Sequence, residues 1–312
     1  MQAKPFGETG LRVTPIGFGA AQIGYLERGQ DEVNELVRRL HELGVNLLDT
    51  AAAYRESETL LGHALHADGL RNEFVLVTKV GPSVPDLDEE AWTPEIIRKS
   101  IERSLRRLRT DEIDVALLHS CDLEKLREGS VIEALVEAQA RGQVAHIGYS
   151  GDNEAAEWAT QQDAFAVLET SISVADQANI DGALRRAAAR SMGVLAKRPI
   201  ANAAWKNAAD QPGFYGDYAS DYSDRLGAMK VSPRDIGFVS DDASNWVEMS
   251  LRFTLAQTGV HSLIIGSTNA DHVEDNVETA RKGPLSEAKV ERIRSSFRDA
   301  ESASGVDWPG LT

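Results

Sequence analysis

Leu47-Leu48-Asp49-Thr50-Ala51-Ala52-Ala53-Tyr54-Arg55-Glu56-Ser57-Glu58 begins as an apolar strand and ends as a helix start. The run Val45-Asn46-Leu47-Leu48 stops at a carboxylate, Asp49, and a phenol, Tyr54, follows in a turn short enough for both to share one mouth. Two more apolar runs stop at ionisable residues: Val75-Leu76-Val77-Thr78-Lys79 and Val115-Ala116-Leu117-Leu118-His119. If these runs are parallel neighbours, Asp49, Lys79 and His119 converge at the carboxyl ends of the strands, where α/β sheets hold ligands.

Outward from this stretch, apolar and amphipathic segments alternate, which implies a parallel sheet covered by helices. Strands are predicted at 15–20, 45–49, 74–79, 113–119, 144–150, 165–171, 193–198 and 261–266. Eight strand-helix units predict an α/β fold of the closed (β/α)8 kind, a TIM barrel, with residues 1–312 as one domain. A doubly wound sheet is the alternative, but Gly17-Phe18-Gly19 is followed by Ala20-Ala21-Gln22 and lacks the third glycine of the dinucleotide turn. Turn residues in Pro5-Phe6-Gly7-Glu8-Thr9-Gly10-Leu11-Arg12-Val13 predict an N-terminal β-hairpin that plugs one end of the core.

Helix signals fall between the strands. Asp31 is read as a cap before Val33, Leu36, Val37, Leu40 and Leu43, with Gly44 closing the helix. Ser57 is read as the next cap, and Thr93-Pro94 starts another helix in the cap-then-first-turn arrangement. Further helices are predicted over 130–141, 176–190, 244–257, 271–280 and 286–300. From Ile200 to Asp242 no clear strand occurs, so a long loop after strand seven is expected over the mouth. Its Trp205, Phe214, Tyr215, Tyr218 and Tyr222 either shape a substrate pocket or pack the loop onto the barrel.

Composition narrows the classes of function. A net charge of −16 with no basic stripe argues against a nucleic-acid surface. No apolar run approaches the ~20 residues of a membrane helix, and Met1–Gly10 has no leader-like apolar core. A single cysteine, Cys121, excludes an internal disulfide and a Cys-rich zinc site; a buried bystander is the expected reading. The expectation is a soluble cytoplasmic protein without metal, its oligomeric state open.

The polar strand ends suggest a reaction. A phenol has a reference pKa of about 10, and an ammonium at ~4 Å in an effective dielectric of ~20 stabilises the phenolate by roughly 4 kcal/mol before desolvation. Lys79 is therefore expected to lower the Tyr54 pKa by about one to three units. Asp49 holds the lysine charged and oriented, and His119 donates to a carbonyl oxygen as negative charge develops there. The set supplies a proton and an oxyanion site but no nucleophile, so reducing a carbonyl requires a hydride from a cofactor, for which NAD(P)H is the usual source.

Gly44-Val45-Asn46-Leu47-Leu48-Asp49-Thr50-Ala51 through Tyr54, then Ser57-Glu58-x-x-Leu61-Gly62, resembles the signature of the aldo-keto reductases, and Thr78-Lys79 and Leu117-Leu118-His119 fall where that family's lysine and histidine belong. The resemblance runs from the hairpin to Asn276. It implies a (β/α)8 barrel, NADP(H)-linked reduction of an aldehyde or ketone, Tyr54 as general acid tuned by Lys79 and Asp49, and His119 orienting the carbonyl. In Gly266-Ser267-Thr268-Asn269-Ala270-Asp271-His272-Val273-Glu274-Asp275-Asn276 it is similar to the family's adenosine-phosphate segment. There Ser267, Thr268 and Asn269 are expected near the ribose phosphate and Asp275 and Asn276 near the adenine, while Asn269 can also cap a helix. Gly19, Ala20, Ser150, Glu169, Lys197, Arg198, Gly266 and His272 complete the expected cofactor set, and Tyr25, Trp92 and Trp205 the expected substrate pocket.

Several positions depart from the family pattern. His272 stands where many relatives carry an arginine against the 2′-phosphate, with Asp271 beside it, so NADP(H) is expected while NAD(H) stays open. Gly151 replaces the asparagine after Ser150, and Glu169 replaces a glutamine. Ala196-Lys197-Arg198-Pro199 leaves no aromatic to stack on nicotinamide, and Arg198 is expected at the pyrophosphate instead. The alternative from another class is a cofactor-binding regulatory module on the same barrel with little or no turnover.

Overall fold

The computed structural model describes residues 1–26, 28–206, 213–267 and 269–311, the side chains of 213–218 and 270 excepted. A two-stranded antiparallel hairpin, β1 (Lys4–Pro5) and β2 (Arg12–Val13), precedes eight parallel strands. These are β3 (Ile16–Gly19), β4 (Leu47–Asp49), β5 (Val75–Val80), β6 (Ile113–His119), β7 (Val144–Ser150), β8 (Val167–Ser171), β9 (Gly193–Lys197) and β10 (Ser262–Ile265). They close in sequence order, β10 pairing with β3 as well as β9, so the sheet is a barrel and the doubly wound alternative is excluded.

The alternation of side chains along a strand builds the site. Leu47, Val77, Leu117, Val167 and Leu195 belong to one apolar cluster inside the barrel. Two residues further along the same strands, hence on the same face and one layer nearer the rim, stand Asp49, Lys79, His119, Glu169 and Lys197. Leu48, Leu76, Leu118 and Leu168 belong to the other cluster, between strands and helices. At the opposite end Phe6 is fully buried in the inner cluster, and a Cβ added at Gly193 would meet its ring at 2.7 Å. The hairpin thus plugs the barrel floor. Phe6→Ala is expected to cost about 3–5 kcal/mol in urea unfolding, and a loss below about 1 kcal/mol would show that the floor does not need the plug.

The helices are α1 (Ala21–Tyr25), α2 (Gln30–Glu42), α3 (Ser57–Ala67), α4 (Pro94–Leu108), α5 (Leu123–Glu128), α6 (Ser130–Ala140), α7 (Asn153–Ala159), α8 (Arg185–Ala189), α9 (Gly213–Met229), α10 (Ala243–Leu255), α11 (Ala270–Arg281) and α12 (Glu287–Ser304). Thr93 caps α4 as expected, accepting from the Ile96 N–H at 3.3 Å, and Gly44 follows α2 with φ +74°. Two expected caps differ. Gly29, not Asp31, precedes α2, and Ser57 lies inside α3, where its hydroxyl meets Thr50 and the Ala20 carbonyl. The segment 176–190 becomes helical from Ala178, through a wide turn over Ile180–Leu184 that leads into α8.

The long connection after β9 contains α9. Its buried Ala219, Tyr222, Leu226 and Met229 recur at helical spacing, a signal obscured by Gly213, Gly216, Gly227 and the acidic residues between them. The aromatics Phe214, Tyr215 and Tyr218 fall among side chains outside the described set. Among the described residues no helix is long and apolar enough to cross a membrane.

Candidate active site

The chain turns from β4 into α3 through Thr50–Glu56, and this turn is pinned from below. Thr50 N–H donates to Val77 O at 2.8 Å and Ala52 N–H to Lys79 O at 3.0 Å, tying the turn to β5. Glu58, fully buried at the start of α3, accepts from Thr78 Oγ1 at 2.7 Å and pairs with Arg103 of α4 at 3.4 Å. Arg103 in turn donates to Ala52 O at 3.1 Å. From the other side α1 reaches the Tyr54 backbone at Gly24, where any Cβ would come within 2.1 Å of the Tyr54 carbonyl oxygen. Tyr54 is therefore held by its scaffold. Sequence reasoning missed Arg103; the signal was a single cation on the otherwise uncharged inner stripe of α4.

At the rim, Lys79 is 1% exposed and bonds Asp49 Oδ1 directly, with a second bond to Thr50 O at 3.1 Å. Its Nζ lies 5.4 Å from the centre of the Tyr54 ring. The His119 ring meets the Tyr54 ring edge-on, centroids 5.5 Å apart, so all four expected residues gather at one end of the barrel. A fifth group joins them. Glu169 Oε2 lies 3.4 Å from Lys79 Nζ and, among the described residues, makes no hydrogen bond.

Burial and charge set the protonation states. Burial and the Glu169 carboxylate push Asp49 up to about 8, against the pull of Lys79. Burial alone would lower the lysine pKa, yet Asp49 and Glu169 outweigh it and hold the ammonium charged. Burial, then the Lys79 and Lys197 charges, hold His119 well below the ordinary histidine value, so its imidazole is neutral; its Nδ1 is buried and unpartnered among the described residues. The expected lowering of Tyr54 is not found. Lys79 does lower it, but burial and the carboxylates Asp49 and Glu169 prevail and raise the phenol above its ordinary value. Tyr54 thus stays protonated through the neutral range and is available as a donor. Burial likewise raises the Cys121 thiol to about 12, far from a reactive thiolate.

The remaining expected residues divide. Ser150 stands in register with His119 on one side and Glu169 on the other. Ala20, buried, donates its N–H to Asp49 O at 2.8 Å. Gly19 and Gly266 face each other at adjacent strand ends, where a Cβ at Gly266 would lie 3.1 Å from Gly19 O. Asn269 caps α11, accepting from the Asp271 N–H at 2.9 Å, and Ser267 Oγ accepts from the Asn269 N–H at 3.1 Å. His272 and Asp275 are exposed on α11 and Asn276 is buried. Thr268 lies outside the described residues. Two cations are already engaged. Lys197 pairs with Asp152 at 3.1 Å, and Arg198, expected at a pyrophosphate, donates to the Leu311 carbonyl because the left-handed residue after β9, φ +55°, turns it toward the C-terminal segment. That segment was not read from the sequence at all; Ser171, Asp176, Asn153 and Arg225 also bond it.

Of the expected pocket residues, Tyr25 lies 6.0 Å from Tyr54 by ring centroids with Arg55 over its face, and Trp92 folds over Gly81, just beyond Lys79. Trp205 stacks on Trp246 at 5.5 Å. Two cavities lie away from the four-residue set: a void of about 10 Å³ between β3, β10, α2 and α11, and a cleft of about 360 Å³ at the hairpin end lined by Pro5, Gly7 and His261. No group of three or more His, Cys, Asp or Glu side chains able to hold a metal occurs among the described residues.

The site fits a nicotinamide dinucleotide on two observations: paired glycines, Gly19 and Gly266, at adjacent strand ends, and the start of α11 beside them. The model of the Aldo/keto reductase family matches residues 15–297. The chain is similar to the uncharacterized oxidoreductase YqkF of Bacillus subtilis (24% identity, covering 95% of this chain and 96% of that one). It is also similar to L-galactose dehydrogenase of Arabidopsis thaliana (24%, covering 98% and 93%). Among solved structures, the holo form of aldo-keto reductase AKR11C1 from Bacillus halodurans superposes with a TM-score of 0.76 at 24% identity, covering 95% of this chain and 96% of that one.

Proposed function

The chain belongs to the aldo/keto reductase family of oxidoreductases, whose general chemistry is carbonyl reduction, and on that premise we propose that it reduces a small aldehyde or ketone with NADPH, Tyr54 acting as proton donor. The observation that carries this reading is the gathering of Tyr54, Lys79, Asp49 and His119 on one barrel rim. A reduced nicotinamide, when bound, supplies the hydride. The chain does the rest. Neutral His119 donates a hydrogen bond to the carbonyl oxygen without adding a charge, which polarises the carbonyl and fixes its position beside the phenol. Tyr54 then delivers its proton to that oxygen as negative charge develops there. Lys79 stabilises the phenolate left behind, and Asp49 anchors Lys79.

Ser150 and Glu169 would hold the carboxamide end of the cofactor, the Gly19–Gly266 shelf its backbone, and Ser267, Asn269, His272, Asp275 and Asn276 the adenosine end. Tyr25 and Trp92 would flank the substrate. Three conditions support NADPH over NADH: an exposed His272, the start of α11, and the hydroxyl and amide side chains beside it. The test is loss of NADPH absorbance with a panel of aldehydes, ketones, aldoses and quinones. Turnover of at least one class is expected. Tight cofactor binding with no turnover across the panel would instead identify a regulatory module.

A further inference from the structure

We infer that Glu169 is a positioning residue that shares Lys79 with Asp49, so that the charge opposing Tyr54 depends on two carboxylates rather than one. The inference rests on Tyr54 being the proton donor. Glu169 ends up against Lys79 for a local reason: it follows Val167 by two residues on β8, which points it into the barrel, and its register partner Ser150 has a side chain too short to intercept it. Its Oε2, 3.4 Å from Lys79 Nζ and otherwise without a hydrogen bond among the described residues, has the lysine as its partner. A glutamine here would present a neutral amide. Glutamate adds a buried negative charge to a cluster that already holds Asp49, so one ammonium faces two carboxylates.

Among the described residues, the other ionisable groups facing this cluster are Tyr54 with Tyr25 behind it, His119 on β6, and Lys197 on β9, which pairs with Asp152. None of these pairs with either Asp49 or Glu169. The cluster therefore relieves its excess charge by keeping a proton, and Asp49, raised to about 8, is where the proton sits. Below that pH the protonated Asp49, Glu169 and Lys79 sum to zero. Above it the sum is −1, the phenol of Tyr54 becomes harder to ionise, and proton delivery slows. Wild-type carbonyl reduction should thus fall on the alkaline side near pH 8. With Glu169→Gln, Asp49 stays ionised and paired through the neutral range, and this alkaline fall moves up by about one unit or more.

The experiment pairs two readouts on wild type, Glu169→Gln and Glu169→Asp. The first is the carboxyl titration of Asp49 in cofactor-free protein by isotope-edited NMR, its signal assigned by its absence in Asp49→Asn. The second is the pH profile of turnover together with the NADPH Kd. Expected are a site carboxyl titrating near 8 in wild type, displaced to acid pH in Glu169→Gln and restored toward 8 in Glu169→Asp. The alkaline limb should move to higher pH in Glu169→Gln, while the NADPH Kd, which the contact of Glu169 with the carboxamide also sets, weakens by about tenfold or less. An Asp49 titration unchanged by Glu169→Gln overturns the inference whatever the activity, as does an unmoved pH limb accompanied by about tenfold weaker NADPH binding, which would make Glu169 a cofactor ligand only. Because the NMR titration needs neither cofactor nor substrate, its outcome stands even if the protein reduces no carbonyl on the panel.

Discussion

Tyr54→Phe is expected to lower turnover by about 10²- to 10⁴-fold, the range that a positioned proton donor contributes, while NADPH affinity stays unchanged. The substitution removes one oxygen and leaves the ring that meets His119 edge-on and lies beside Tyr25 and Lys79. Packing is therefore preserved, and the loss should appear in kcat rather than in stability. Steady-state kinetics with a thermal-unfolding control decides it. An unchanged kcat removes the phenol from the acid role, and a fall in kcat matched by a collapse in Tm would assign Tyr54 to structure.

Lys79→Met should produce the second large effect, on turnover and stability together. Lys79 is the cation of a cluster with two buried carboxylates, and deleting one partner of a buried pair leaves uncompensated charge at a cost of about 3–5 kcal/mol. The sign with pH follows from which state holds protons. Without the ammonium, Asp49, already raised by burial, keeps a proton in the folded chain that the unfolded chain releases above its ordinary carboxylate pKa of about 4. Stability of the variant is therefore greatest in acid and falls as pH rises, the reverse of the common acid lability. Turnover falls as well, since the one group that lowers the Tyr54 pKa is gone. Urea unfolding across pH measures the first effect, and pH-dependent kinetics the second. A variant as stable as wild type at pH 8 and equally active would show that the lysine is incidental.

Much of this arrangement is legible in the chain because it rests on local rules. Apolar runs ended by Asp49, Lys79 and His119 name both the strands and the residues at their mouths, and a period of two places those residues on the inner face. What escaped depends on contacts distant in sequence. Glu169 reads from the sequence as a cofactor ligand; that it also faces Lys79, on a strand three places round the barrel, emerges only from the fold. The same blindness explains the Tyr54 pKa: the attraction of Lys79 can be anticipated from two residues, but the opposing sum needs burial and both carboxylates. Arg198 shows a third case, since its partner is the Leu311 carbonyl at the far end of the chain. Helix α9 was missed for a different reason, its glycines and acidic residues masking the helical recurrence of Tyr222, Leu226 and Met229.

The most direct measurement follows the hydride itself. Wild-type protein is given NADPH carrying deuterium at the reactive ring carbon together with the best carbonyl of the panel, and the alcohol is analysed by mass spectrometry. A rim that reduces carbonyls with Tyr54 as donor predicts deuterium at the carbinol carbon in wild type and almost none over the same interval in Tyr54→Phe. Label that never reaches the alcohol, or reaches it equally fast without the phenol, contradicts the account.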